Sequence, residues 1–80
     1  MWYVYILLCE DKSLYTGITN NLKKRFVEHK KGLGSKYTRS HKPVRIIHQE
    51  NFPTKSEALK REAEIKSWSR MKKINMIFGI

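Results

Sequence analysis

Five residues of this 80-residue sequence could do chemistry together: Tyr5, Tyr15, Arg25, His29 and Glu62. A carboxylate can hold a divalent metal through oxygen. A guanidinium can neutralise charge growing on a phosphate. An imidazole or a phenol can move a proton. Combined, these groups describe metal-assisted hydrolysis of a phosphodiester. Each also has an ordinary reading. Tyrosines are common on sheet faces, His29 can be a surface helix residue, Arg25 can pair with Glu28, and Glu62 can sit in a salt bridge. The constellation is stronger than its members.

The elements that must position them follow from spacing. Residues 2 to 8 alternate, with Trp2, Val4, Ile6 and Leu8 opposed to Tyr3, Tyr5 and Leu7. "EDKS" is a turn, and residues 14 to 19 alternate again, so the segment is a β-hairpin. With Cys9 facing Ser13 across a three-residue loop, Tyr5 faces Gly17 and has Tyr15 as its diagonal neighbour. Gly17 leaves space opposite Tyr5. "TNNLKKRFVEHKKG" is a helix capped by Asn20 or Asn21 and stopped at Gly32. Its Arg25 and His29 stand at i, i+4 beside the inner face marked by Leu22 and Phe26. "LGSKYTRSHKP" reads as a polar, basic loop. "VRIIHQENF" is a third strand, with Val44, Ile46 and His48 alternating against Arg45 and Ile47. "TKSE" at 54 to 57 is a capping box that opens a second helix of about fifteen residues, ending near Trp68 or Ser69. On its wheel Ala58, Leu59, Ala63 and Ile65 form the inward stripe, and Glu62 falls inside it. A carboxylate there is costly unless paired or bound to a cation. A short helix from Arg70 to Ile77 follows. The expected fold is α+β: a three-stranded antiparallel sheet flanked by two main helices and a short C-terminal one, in the order β-β-α-β-α-α, as a single domain over residues 1–80.

Charge names the partner. Seventeen Lys and Arg stand against seven acids, for a net charge of +10. From Lys23 to Arg45 there are nine basic residues and one acid, Glu28. Such a balance implies a polyanion. Nucleic acid fits better than a membrane, because no basic helix has a fully apolar opposite face. Lys23, Lys24, Lys36, Arg39 and Lys42 are the expected contacts to it. The single cysteine, Cys9, excludes an intrachain disulfide and a cysteine-rich zinc site. The N-terminal run "MWYVYILLC" is too short to span a membrane, so a cytoplasmic protein is expected.

The pattern resembles the GIY-YIG nuclease domain, in its small stand-alone bacterial (URI-type) branch. The first signature tripeptide matches Tyr3, Val4, Tyr5, and the second matches Tyr15, Thr16, Gly17. The helix arginine and the histidine four residues on fall on Arg25 and His29. The metal-binding glutamate falls on Glu62 in "EALKREAEIK", and "SKYTRSHKPVRI" also looks like this branch. The chain departs from the pattern at Tyr3 and Thr16, which are backbone or packing positions. Tyr37 matches a further polar residue that many relatives carry after the first helix. The resemblance spans roughly residues 2 to 75.

That resemblance implies a metal-dependent endonuclease that hydrolyses DNA, in repair or recombination. One tyrosine would act as general base and the other would orient water or phosphate. His29 would assist proton transfer, and Arg25 would stabilise the transition state. Glu62 would bind a single Mg²⁺ or Mn²⁺. DNA is favoured over RNA. No helix-turn-helix or zinc finger is present, so base-sequence specificity should be low, and selectivity should follow nucleic-acid shape or a protein partner or homodimer. Two other readings use the same residues. One is a non-catalytic module that binds DNA or structured RNA. The other is an adaptor that recruits a larger complex.

Overall fold

The structure, a computed structural model, describes residues 1–79. Strand β1 (Trp2–Cys9) turns into β2 (Leu14–Thr19) through Glu10, Asp11, Lys12 and Ser13. The Cys9 N–H donates to the Ser13 carbonyl at 2.9 Å, and the Lys12 N–H donates to the Cys9 carbonyl at 2.9 Å. Lys12, at φ 72°, takes the left-handed position that closes a three-residue hairpin. The register pairs Tyr5 with Gly17 and Leu7 with Tyr15, as the spacing predicts.

Strand β3 (Pro43–Phe52) pairs antiparallel with the other edge of β1, giving the order β2-β1-β3. The central strand is therefore hydrogen-bonded along both edges, and with helices packed on its faces Val4, Tyr5, Ile6, Leu7 and Cys9 are each at most 1% exposed. Val4 and Ile6 pack with Ala58 and Ile65 of helix α3 (Lys55–Lys66), ringed by Trp2, Leu14, Ile18, Trp68 and the Met76 and Ile77 side chains of α4 (Arg70–Phe78). Tyr5 points the other way, toward α1 (Leu22–Lys30). This parity is why a tyrosine, rather than an aliphatic residue, fills the centre of β1. Its ring meets a helix that offers an imidazole.

Asn21 is the cap of α1, accepting the Lys24 N–H at 3.0 Å, and Gly32 at φ 77° ends the helix. Four expectations need correcting. The segment read as a loop contains a one-turn helix, α2 (Lys36–Ser40), because the Ser35 hydroxyl accepts the Thr38 N–H at 3.1 Å and caps it. Helix α3 stops after twelve residues, at Ser67, and a new cap at Ser69 starts α4. The stripe of α3 is Ala58, Glu62 and Ile65; Leu59 is 44% exposed and Ala63 is exposed. Finally, β3 does not alternate cleanly. Its register to β1 shifts twice, passing over Ile47 and Val44, so Ile47 joins the core while Val44 is exposed.

Candidate active site

Tyr5 anchors the site. Its hydroxyl lies 2.8 Å from His29 Nε2, across the gap between β1 and α1. The opposing Gly17 is what permits this placement, because a Cβ there would stand 2.5 Å from the Tyr5 hydroxyl. Burial pushes the Tyr5 phenol up to about 12, with the neighbouring Tyr15 and Glu62 adding to the rise and the Arg25 guanidinium opposing it. Burial, with help from the Arg25 charge, pulls His29 down to about 4. Near neutral pH the pair is therefore a neutral phenol beside a neutral imidazole.

His29 is the buried residue of α1, at 0% exposure, which excludes a surface role. Its Nδ1 lies 2.7 Å from the Thr38 hydroxyl on α2. Thr38 is 2% exposed, and its hydroxyl lies 3.0 Å from Ser35 Oγ. Gly34 presses its backbone against the ring, since a Cβ there would collide with Nδ1. Neither Thr38 nor Gly34 stands out in the sequence as a site residue. Ser35, an N-cap type just before Lys36, is the local signal for the turn that carries the first.

Tyr15 is half-buried and stands edge-on to His29, with ring centres 5.2 Å apart. It stacks on Tyr37 at 5.7 Å, and Tyr37 stacks on His41 at 4.2 Å. His41 Nδ1 in turn lies 2.6 Å from Asp11 in the hairpin loop. The two signature tyrosines thus occupy different settings: Tyr5 is bonded to the imidazole, whereas Tyr15 packs against it.

Arg25 reaches the same place from the preceding turn of α1. Its Nη2 donates to the Gly34 carbonyl at 2.8 Å, and Nη1 donates to Glu28 at 3.3 Å. Nε is buried and has no hydrogen-bond partner among the described residues. The guanidinium charge favours the Tyr5 phenolate, although its directed hydrogen bonds go elsewhere. Arg25 also lines a cleft of about 260 Å³ with Trp2, Thr19, Asn21 and Lys24.

Glu62 comes from α3, and its charge reaches Tyr5. Its side chain is 17% exposed, and Oε2 lies 3.2 Å from Nζ of Lys66, itself 52% exposed. The ordinary salt bridge therefore exists, but it is a loose i, i+4 pair that a cation could displace. Among the described residues no three His, Cys, Asp or Glu side chains form a metal cage. A single carboxylate nevertheless fits Mg²⁺ or Mn²⁺, because Mg²⁺ commonly takes one or two carboxylates and fills its shell with water and substrate phosphate. Lys23, Lys24, Lys36, Arg39 and Lys42 are all exposed. They stand on α1, on α2 and on the link into β3, the segments around Arg25, His29 and Tyr37.

The profile of the GIY-YIG catalytic domain matches residues 1–75. A UPF0213 protein of Staphylococcus saprophyticus is 53% identical over 75 residues, covering 94% of this chain and 92% of that protein. One of Natronomonas pharaonis is 52% identical over 75 residues, covering 94% and 88%. The solution NMR structure of a UPF0213 protein from Bacillus halodurans superposes with a TM-score of 0.61 at 45% identity, covering 96% of this chain and 83% of that one.

Proposed function

This chain belongs to the GIY-YIG catalytic-domain family, a family of nucleases, and we propose that it is a metal-dependent endonuclease that hydrolyses DNA with little regard for base sequence. The observation that carries this reading is the Tyr5–His29 pair, 2.8 Å apart and neutral, beside a guanidinium with an unsatisfied Nε. A structural cluster would satisfy its polar atoms. This one keeps a donor and a base ready.

In the proposed reaction a water loses its proton to the Tyr5 oxygen as the Tyr5 hydroxyl passes its own to His29 Nε2. The oxygen of that water bonds to phosphorus, and the bond from phosphorus to the leaving sugar oxygen breaks. His29 is thus the net base and Tyr5 the carrier, which explains how a phenol with a raised pKa can take part. Arg25 meets the charge that grows on the phosphate oxygens. Tyr15, edge-on to His29 and stacked on Tyr37, keeps the imidazole in place and orients the substrate. Glu62 would hold the Mg²⁺ or Mn²⁺, which supplies positive charge to the departing oxygen. The lysines and arginines of α1 and α2 contribute sequence-independent affinity.

Repair or recombination is the setting we propose, in the cytoplasm, with shape selectivity or a protein partner supplying any specificity. No described helix is long and apolar enough to cross a membrane. The purified chain, assayed on single-stranded, duplex, flap and junction DNA and on structured RNA with Mg²⁺, Mn²⁺ or EDTA, tests the proposal. Metal-dependent cleavage of DNA supports it. Binding without cleavage on every substrate would replace it with the non-catalytic module.

A further inference from the structure

We propose that Thr38 is a positioning residue for this hydrolysis: its hydroxyl accepts a hydrogen bond from His29 Nδ1–H and so leaves Nε2 bare toward Tyr5. The assignment rests on the hydrolase reading above for its purpose, but its geometry stands separately. A neutral imidazole carries one proton, and the hydrogen bond at one nitrogen decides what the other can do. His29 is 0% exposed, so its partners rather than bulk water select the tautomer. Those partners are the Tyr5 hydroxyl at 2.8 Å on Nε2 and the Thr38 hydroxyl at 2.7 Å on Nδ1.

The Thr38 hydroxyl has one proton to place. The Ser35 carbonyl, 3.4 Å away, can only accept it, and Ser35 Oγ at 3.0 Å offers a second acceptor. With the proton turned toward Ser35, the Thr38 lone pairs face His29. The backbone holds this arrangement, because Thr38 N–H is tied to the capping Ser35 at 3.1 Å. Gly34 closes the remaining side of the ring, where no side chain fits.

The opposite tautomer would be unproductive. A proton already on Nε2 bars His29 from accepting the one that Tyr5 releases. With Nδ1–H bonded to Thr38, Nε2 accepts that proton and the Thr38 contact stays as it was. The imidazolium then finds an acceptor on Nδ1 without any rearrangement. Tyr5 has no such freedom, since its hydroxyl serves as both donor and acceptor during the step.

Two variants and two readouts test this. Long-range ¹H–¹⁵N correlation on labelled protein reports which His29 nitrogen carries the proton. The wild type should show Nδ1–H with Nε2 bare. Thr38→Val keeps the branched shape but removes the acceptor, so it should shift His29 toward Nε2–H. It should also lower kcat by about 100-fold or more with KM nearly unchanged, matching the loss of a general base. Thr38→Ser should restore both the tautomer and most of kcat, which a merely space-filling role would not predict. Melting curves on both variants ensure that folded protein is assayed. Finding Nε2–H in the wild type overturns the proposal, as does a Thr38→Val protein with wild-type kcat. If the wild type cuts nothing yet shows the Nδ1–H tautomer, reversed by Thr38→Val, the Thr38 assignment stands and the hydrolase reading falls.

Discussion

Two polar clusters share this small protein, and they are built on opposite rules. In one, Tyr5, His29 and Thr38 form a buried, neutral chain. In the other, Glu50 of β3 takes two hydrogen bonds from Arg61 of α3, at 2.8 and 3.1 Å, and lies 2.8 Å from His48 Nε2. Arg61 also pairs with Glu64 and lies over the Trp68 ring at 5.1 Å. The hydrogen bonds from Arg61 hold the Glu50 carboxyl below its usual range, while burial drives Tyr5 and His29 toward their uncharged forms. The ionic cluster saturates its charges and ties β3 to α3. The neutral chain leaves Arg25 Nε unpaired and keeps groups that can exchange a proton. One set of polar groups is thus held charged and paired, and the other is held neutral.

The largest expected effect belongs to Glu62. Glu62→Gln should cut the metal-dependent cleavage rate by about 1000-fold, or about 4 kcal/mol of barrier, while leaving the melting temperature almost unmoved. The reason is the half-exposed Lys66 partner, since such i, i+4 pairs are worth about 0.3–0.5 kcal/mol. A variant that melts far lower but still cuts would place Glu62 among the structural ions and erase the contrast.

Acid should separate the clusters next. The folded pKa of His29, about 4, lies below its ordinary 6.5, so the unfolded chain takes the proton first. Stability from this site is complete above pH 6.5 and declines as the pH falls toward 4, by about 3 kcal/mol in all. Glu50 also has a lowered pKa, so its contribution is full down to about the ordinary carboxylate value of 4.5 and is lost only below it, as the pH falls through the lowered folded value. Denaturant titrations at several pH values should show both losses in the wild type. Only the lower one should remain in His29→Gln. A wild type whose stability is flat between pH 6.5 and 4 would mean that the imidazole is open to water.

Arg61→Ala inverts the first test. The Arg61 and Glu50 side chains are 27% and 23% exposed, so the 3–5 kcal/mol of a fully buried pair is reduced by solvent to about 2 kcal/mol. Chemical denaturation should show that loss, with kcat unchanged at a temperature where the variant stays folded. A fall in kcat larger than the unfolded fraction explains would join the two clusters into one.

The local pattern of the sequence reveals one cluster better than the other. The hairpin was legible because two alternating runs and a turn fix a register, and that register puts Tyr5 opposite Gly17. Arg25 and His29 were legible as an i, i+4 pair, and Glu62 as a carboxylate on an inner stripe. The depth of His29 was not, since a nine-residue helix with Lys23, Lys24 and Lys30 reads as a solvated face. Hydropathy places Leu59 and Ala63 inward, yet the inward side of α3 is Ala58, Glu62 and Ile65. The Glu50–Arg61 cluster joins residues eleven apart on different elements, which no periodicity reports. Thr38 was hidden inside a single helical turn between Gly34 and Pro43, where the glycine and proline signal a loop.

The smallest expected effect tests the surface that surrounds the neutral cluster. Lys36 is exposed at the start of α2, and it forms no salt bridge among the described residues. If it contacts one phosphate, Lys36→Ala removes one counterion from the release that drives binding. The slope of log affinity against log salt should then flatten by about 0.9. Affinity should fall a few-fold at low salt and hardly at all at high salt, equally on duplexes of unrelated sequence, because phosphates carry no base identity. The rate at saturating DNA should stay at the wild-type value, since the lysine contacts ground state and transition state alike. Filter binding across a salt series, paired with single-turnover cleavage, reads both quantities. A Lys36→Ala protein whose turnover drops at saturation would move α2 from the binding surface into the reactive cluster, and Thr38 would then share its helix with a second residue that acts on the rate.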